Sequence, residues 1–297
     1  MFKIAENIYL VKSKLGFTYC NCILVEDKVR AIIDTGADYE TLLKINPETI
    51  DLVLYTHHHY DHTRGHKLFH HAHSLIHKAD YPATLSLEAY EKYNSIDIWD
   101  DLMPNVTREE GIMALNILPS EELLCPIDNI FIDKDVFNLG DTEVQVIHTP
   151  GHSAGHSAFY FPKEDFLFTG DICLTAAGPW YGELLSDPDD MINSINKIIE
   201  LNPRIIASCH VNEVFEDSSA KLEEFKNRIY KRDERIYNFL KNEPADIHKM
   251  ADNKLIYKFH PSPFVVFWEK LMLIKHIERL EKMGVVAKTD KNLYIAK

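Results

Sequence analysis

The sequence predicts an α/β protein, with sheets covered by helices and a smaller helical tail that closes on a short hairpin. Three observations carry that expectation. Short apolar runs broken by turns arrive in two series, across residues 3–77 and 129–209, with helix-like stretches between some of them. From Ser218 onward the apolar residues fall at helical spacing, as in LEEFKNRIYKRDERIYNFLKN. The 297 residues are 45% hydrophobic and 26% charged, which excludes global disorder and low-complexity classes.

The strand candidates in the first series are Lys3 to Val11, Cys22 to Val25 and Arg30 to Asp34, the last ending in the turn Thr35-Gly36. Asp51 to Thr56 (DLVLYT) is almost continuously apolar, as in a strand buried on both faces. A helix is expected to start near Asp61 or His62, and a further strand covers Ser74 to His77. Residues 80–125 lack a clear strand and read as a helical insertion. Strands resume at 129–133, 142–149, 156–161, 166–170 and 204–209, with a helix from about Asp189 to Leu201. The end reads as a helix (FWEKLMLIKHIERLEKMGVV), a glycine stop at Gly284 and a hairpin. The expected division is therefore 1–217 and 218–297.

The formal net charge of -14 sets the chain as a whole against polyanions such as nucleic acid and acidic membranes. It is unevenly spread. Residues 218–297 hold 17 Lys/Arg and 11 Asp/Glu, a net +6, whereas residues 1–217 hold 15 basic and 35 acidic residues, a net -20. Five cysteines without dense spacing are not a disulfide framework and fit a reducing compartment. No stretch approaches ~18 consecutive apolar residues, and the first residues lack the apolar core of a signal peptide. A cytoplasmic protein without membrane partners is the expectation.

Nine of the 16 histidines fall between His57 and His77. The densest part, Thr56-His57-His58-His59-Tyr60-Asp61-His62, follows the DLVLY strand directly. Residues two apart on extended backbone share a side, so His57 and His59 can aim at one ion, and Asp61 and His62 can swing toward a second where the helix begins. Imidazole and carboxylate are zinc ligands, with iron or manganese as alternatives. A histidine-rich surface tract is the competing reading. Three further strand ends weigh against it: Thr149-Pro150-Gly151-His152, Gly170-Asp171 and Cys209-His210. Ligands gathered at one rim of a sheet are how α/β scaffolds build sites.

The series H-x-H-x-D-H, TPGH, GD and a strand-terminal histidine resembles the metallo-β-lactamase-fold hydrolases over about residues 1–215. The resemblance implies a four-layer αββα sandwich with its site at one edge of the two sheets. It implies that His57, His59 and His152 hold one metal and Asp61, His62 and His210 a second, with Asp171 bridging. Two divalent ions, Zn2+ first, would share a water whose pKa falls toward neutrality, and the hydroxide would attack an electrophilic carbonyl or phosphorus. Asp61 would orient that nucleophile and carry its proton, as the catalytic carboxylate. Asp34, in a DTG segment that also resembles the family, would support the ligands.

One departure from the family pattern is Thr63-Arg64-Gly65, where an apolar residue and two glycines are usual. Oxygen-reducing di-iron relatives carry a glutamate where His59 stands and a flavin domain, and this chain has neither. His58, Tyr60 and His156 are expected to pack, His66, His70, His71, His73 and His77 to be bystanders, and Cys173 and Cys209 to be buried thiols. Trp180 and Tyr181, in the loop after Asp171, are candidate substrate contacts. The insertion would roof the same cleft or form a homodimer contact.

The tail resembles the winged-helix-like tail of a subgroup in which some members cleave single-stranded RNA. Because the half with the ligands is acidic, the expected substrate is a small-molecule ester, thioester or lactone, as in the glyoxalase II-like branch. The tail does not resemble the glutathione-binding end of a true hydroxyacylglutathione hydrolase. A metal-dependent endoribonuclease reaching RNA through the basic tail is the alternative, and a catalytically silent metal- or nucleic-acid-binding module is the third reading.

Overall fold

The computed structural model describes residues 1–14, 16, 18–113 and 123–297. The first sheet holds β1 (Phe2–Lys3), β2 (Ile8–Val11), β3 (Cys22–Val25), β4 (Ala31–Ile33), β5 (Leu52–Leu54), β6 (His73–His77) and β7 (Asn129–Phe131), in that order. Pairing is antiparallel from β1 to β4 and parallel from β4 to β7. The expected strand from Lys3 to Val11 is two pieces. The chain bends at residues 4–7, so β1 folds back onto β2, with Phe2 opposite Leu10.

The second sheet holds β8 (Val136–Asn138), β9 (Glu143–His148), β10 (Ser157–Phe161), β11 (Phe166–Phe168), β12 (Ile205–Ala207) and β13 (Phe215–Glu216), ordered β13-β12-β11-β10-β9-β8. Only β11 and β12 pair in parallel. Two reversals through β10 return the chain to its first direction, so β9, β11 and β12 all run the same way. Their C-terminal ends therefore share one rim. β4 and β5 likewise end together in the first sheet.

Alternation along these strands makes the layers. Phe159, Phe161, Phe166, Phe168, Ile205 and Ala207 join the core shared with the first sheet, while Ala158, Leu167 and Ile206 join a second core against helices. Among the described residues, six short or mid-length helices come first: α1 (Tyr39–Leu43), α2 (Tyr60–Thr63), α3 (Leu87–Tyr93), α4 (Trp99–Leu102), α5 (Arg108–Met113) and α6 (Pro188–Leu201). The C-terminal region adds α7 (Ser219–Asn242), α8 (Ile247–Asp252) and α9 (Pro263–Lys282), then a hairpin of β14 (Val286–Lys288) and β15 (Tyr294–Ala296). Met191 and Ile195 of α6, Phe225 and Ile229 of α7, and Met272 and Leu273 of α9 share the second core with the sheet. The tail thus forms part of the outer helical layer.

The insertion lies on that tail. Trp99 packs its ring 4.6 Å from Phe267, and the Lys270 ammonium donates to the Leu102 carbonyl at 2.6 Å. Its other end reaches the histidine segment, where Tyr93 stands edge-on to His58 at 5.9 Å. Residues 114–122 of the expected insertion lie outside the described residues.

Candidate metal centre

The seven residues singled out by the motifs converge on the rim where β4, β5, β9, β11 and β12 end. His57 to His62 follow β5 into α2, His152 follows β9, Asp171 follows β11 and His210 follows β12. Asp34 sits just past β4 with a left-handed φ of 61°, which an aspartate tolerates better than most residues. Gly36 closes the DTG turn because a Cβ there would lie 1.7 Å from the Asp61 carbonyl oxygen.

Three imidazoles form the first group. His57 Nε2 lies 2.9 Å from His59 Nδ1, and His152 Nε2 lies 3.1 and 3.0 Å from those two atoms. Their remaining ring nitrogens fix the tautomers. His152 Nδ1 donates to the Trp180 carbonyl at 3.0 Å, and His59 Nε2 meets Glu183 Oε1 at 2.7 Å. His57 Nδ1 donates to Thr56 Oγ1 at 2.9 Å, because the Thr56 hydroxyl is itself donated to Asp34. With those nitrogens carrying the protons, three lone pairs face one another about 3 Å apart. A bound cation would satisfy all three. A tetrahedral ion with N ligands at ~2.0–2.1 Å separates its ligand atoms by about 3.3 Å, close to what is seen.

The second group mixes charges. His62 Nδ1 donates to Asp34 Oδ2 at 2.9 Å, leaving Nε2 toward Asp61 Oδ2 at 3.5 Å and Asp171 Oδ1 at 3.2 Å. His210 Nε2 lies 3.3 Å from Asp61 Oδ2 and 3.1 Å from Asp171 Oδ1. The other oxygen of Asp171 reaches the first group, 3.2 Å from His152 Nε2. Asp171 is itself steered by His156, whose Nε2 accepts from the Asp171 amide at 2.9 Å while Nδ1 donates to the Thr149 carbonyl. His62 Nε2 and Asp171 Oδ1 are buried without a hydrogen-bond partner among the described residues. Donor set, spacing and orphaned atoms all fit a metal centre.

Titration follows the same division. Burial, reinforced by the neighbouring imidazoles, holds His57 well below the ordinary histidine range and puts His59 at about 3. Burial likewise depresses His152, against the pull of Asp171. Burial opposes a charge on His210 too, but Asp171 and Asp61 outweigh it and raise the group. Asp171 is held well below the carboxylate range, since His210, His152 and His62 outweigh its burial.

Several residues entered that the motifs did not announce. Glu183 is buried, and desolvation together with Asp80 and Asp61 pushes it up to about 8, against His58. His58, expected only to pack, lies between Asp80 at 3.1 Å and Glu183 at 3.8 Å. Asp80 also accepts from Ser153 Oγ and the Gly155 amide, tying down the loop that carries His152. Trp180 stands edge-on to His59 and His152 at 5.7 and 5.5 Å. Tyr181 is not brought to the cleft. Its side chain is wholly buried and its hydroxyl lies between Arg232 and His276, which leaves no surface for a substrate. Arg64 lies over the Tyr19 ring at 3.9 Å and donates to the Thr18 carbonyl, so it packs. Of the bystander histidines, His70, His71 and His73 are exposed, and His77 stacks on His148 at 4.1 Å. All five cysteines are buried free thiols.

The sequence profile of the metallo-beta-lactamase superfamily matches residues 15–210, about two thirds of the chain. The chain belongs to the metallo-beta-lactamase superfamily. Members are metal-dependent hydrolases that typically bind two divalent metal ions, and this chain is a metal-dependent hydrolase of that superfamily. A beta-lactamase-like protein 2 homolog from Drosophila melanogaster is 26% identical over 280 residues, 90% of this chain and 84% of the relative. A hydroxyacylglutathione hydrolase from Brucella anthropi is 29% identical over 185 residues, covering 60% of this chain and 56% of that enzyme. A metallo-beta-lactamase family protein from Thermus thermophilus superposes with a TM-score of 0.78 at 21% identity, over 98% of this chain and 99% of the other, and so shares the fold. Among the described residues no helix is long and apolar enough to cross a membrane.

Proposed function

We propose that the chain holds two divalent ions, zinc in the first instance, and hydrolyses a small-molecule ester, thioester or lactone. His57, His59 and His152 would hold one ion, Asp61, His62 and His210 the other, and Asp171 both. The observation that carries this reading is the pair of Asp171 oxygens, one 3.2 Å from His152 Nε2 and the other 3.1 Å from His210 Nε2. Ions so placed supply Lewis acidity and lower the pKa of a shared water. Besides holding the second ion, Asp61 would orient the attacking water and accept its proton. Its Oδ2 is shared between two imidazoles, and its side chain keeps 16% exposure.

Three observations support a small, partly apolar substrate. Trp180 lines the first group, and its buried indole N–H has no hydrogen-bond partner among the described residues, which leaves it for a substrate acceptor. An open groove of about 460 Å³ is lined among others by Leu184 and by Tyr93, which stands edge-on to His58. The tail's cations nearest the ligand loop are spent on internal contacts: Arg232 serves loop carbonyls, Arg279 serves Asp189 and Asp233, and Lys275 serves the Leu184 carbonyl. The likeness to hydroxyacylglutathione hydrolases points the same way, although the chain spans only 56% of the Brucella anthropi enzyme.

The endoribonuclease reading keeps the net +6 of residues 218–297 in its favour. Side-by-side turnover of an acyl thioester, a lactone and a single-stranded RNA decides between them. Hydrolysis of the thioester or lactone, abolished by Asp61→Ala, is expected. Activity confined to RNA would overturn the small-molecule reading.

A further inference from the structure

The two halves of the metal centre are held by different parts of the chain. The second group rests on the first sheet, through Asp34 and Thr56. In the first group His57 also leans on Thr56, whereas the outer contacts of His59 and His152 come from the loop 177–186. Its Trp180 carbonyl accepts from His152 Nδ1 at 3.0 Å, its Glu183 carboxyl meets His59 Nε2 at 2.7 Å, and its Ser186 hydroxyl donates to the His152 carbonyl at 2.6 Å. Nothing regular in that loop holds its shape, since no strand or helix lies between β11 and α6.

The C-terminal helices supply the mould. Arg232 of α7, only 2% exposed, donates from Nη1 to the Pro179 carbonyl at 2.5 Å and from Nη2 to the Ala177 carbonyl at 2.8 Å. The same guanidinium reaches the Tyr181 hydroxyl at 3.1 Å, which also lies 3.0 Å from His276 of α9. His276 is held in turn by Asp233 at 2.7 Å. Gly178 has a left-handed φ of 85°, and a Cβ there would lie 2.7 Å from Arg228 Cδ, so the backbone is pressed against α7. A buried guanidinium satisfied by carbonyls that no secondary structure uses is a clamp with a defined geometry, which Lys cannot reproduce with one nitrogen.

We infer that Arg232 is a positioning residue for the first metal position: it fixes the loop whose carbonyl and carboxyl set the tautomers and aim of His152 and His59. The C-terminal region is then a structural part of the metal centre rather than an accessory. This rests on the two-ion reading above and extends it. Direct partners of metal-bound histidines typically change metal affinity 10–100-fold when removed, which sets the upper bound for a residue acting through them.

The test uses the full chain with Zn2+ as the probe. Affinity is measured by competition with a chromophoric chelator in two backgrounds, His210→Ala to weaken the second position and His59→Ala to weaken the first. Arg232→Ala is expected to weaken Zn2+ about 10-fold, and at most about 100-fold, in the His210→Ala background and less than about threefold in the His59→Ala background. Arg232→Lys is expected to restore only part of the loss. In metal-free protein, amide exchange across 177–186 should accelerate in Arg232→Ala while exchange in β4 and β5 stays unchanged. Equal weakening in both backgrounds, or no weakening in either, overturns the inference. Should Arg232→Ala fail to fold, Arg232→Lys, which cannot reach both carbonyls, must show the same selectivity in smaller measure. If the parent protein binds no Zn2+, the two-ion reading falls and takes this inference with it. Selective acceleration of loop exchange without selective loss of Zn2+ would sink the inference alone.

Discussion

The two groups of candidate ligands differ in what stands behind them. Behind His62 is Asp34, one strand end away, in a knot that also includes Thr56 and that the first sheet builds from residues 34–62. Behind His152 and His59 are Trp180 and Glu183, more than 20 residues from either, on a loop seated against helices that follow residue 218. His62 is wired locally and with charge, whereas His59 and His152 are wired remotely. A metal centre can thus depend on a segment that contributes none of its ligands.

The largest effect should come from the residue common to both groups. Asp171→Ala is expected to lose about two ions per chain together and to lower turnover on the order of 10³-fold or more. Metal analysis of protein purified without added metal, beside the parent, checks this, and a clean loss of one ion would break the symmetry of the comparison. Next is Asp34→Ala, which strips His62 of its buried partner. Breaking a buried pair in this way costs on the order of 3–5 kcal/mol, seen as a lowered Tm of metal-free protein and weaker binding at the second position.

Glu183→Gln separates the groups by pH. A buried carboxyl raised to about 8 from an unfolded value of 4.5 contributes stability that is fully present below about 4.5 and lost as pH rises through about 8. The metal-free Gln variant should therefore melt above the parent near pH 9 and close to it near pH 5. Thermal melts at both values check the sign, and a uniform shift would mean that Glu183 is not the titrating group. The smallest effect is expected for Arg64→Ala. Loss of the stack on Tyr19 costs about 0.5–1 kcal/mol, with both metal positions retained in chelator titration.

Much of the rim was legible in the chain. DLVLYT, TPGH, GD and the terminal Cys-His each place a ligand three or four residues past a strand, and a strand's end fixes where such a residue goes. Histidine crowding was a poorer guide, because His70, His71 and His73 lie at the surface and His77 packs on His148. Glu183 and Asp80 were invisible. A lone carboxylate in a loop has no local signature, and its meaning comes only from the imidazole it meets. Tyr181 misled for the related reason that an aromatic beside a site can turn into either of two cores.

Local periodicity and side-chain chemistry dictate the alternation that makes two sheets, the order of the ligands and the residue types able to hold divalent ions. Tertiary structure alone decided that the insertion rests on α9, that the tail joins the outer helical layer, and that Arg232 faces the loop behind His152. The reason is physical: those contacts join segments about 50–170 residues apart, and a guanidinium finds its carbonyls through the packing of whole helices rather than through its neighbours in the chain.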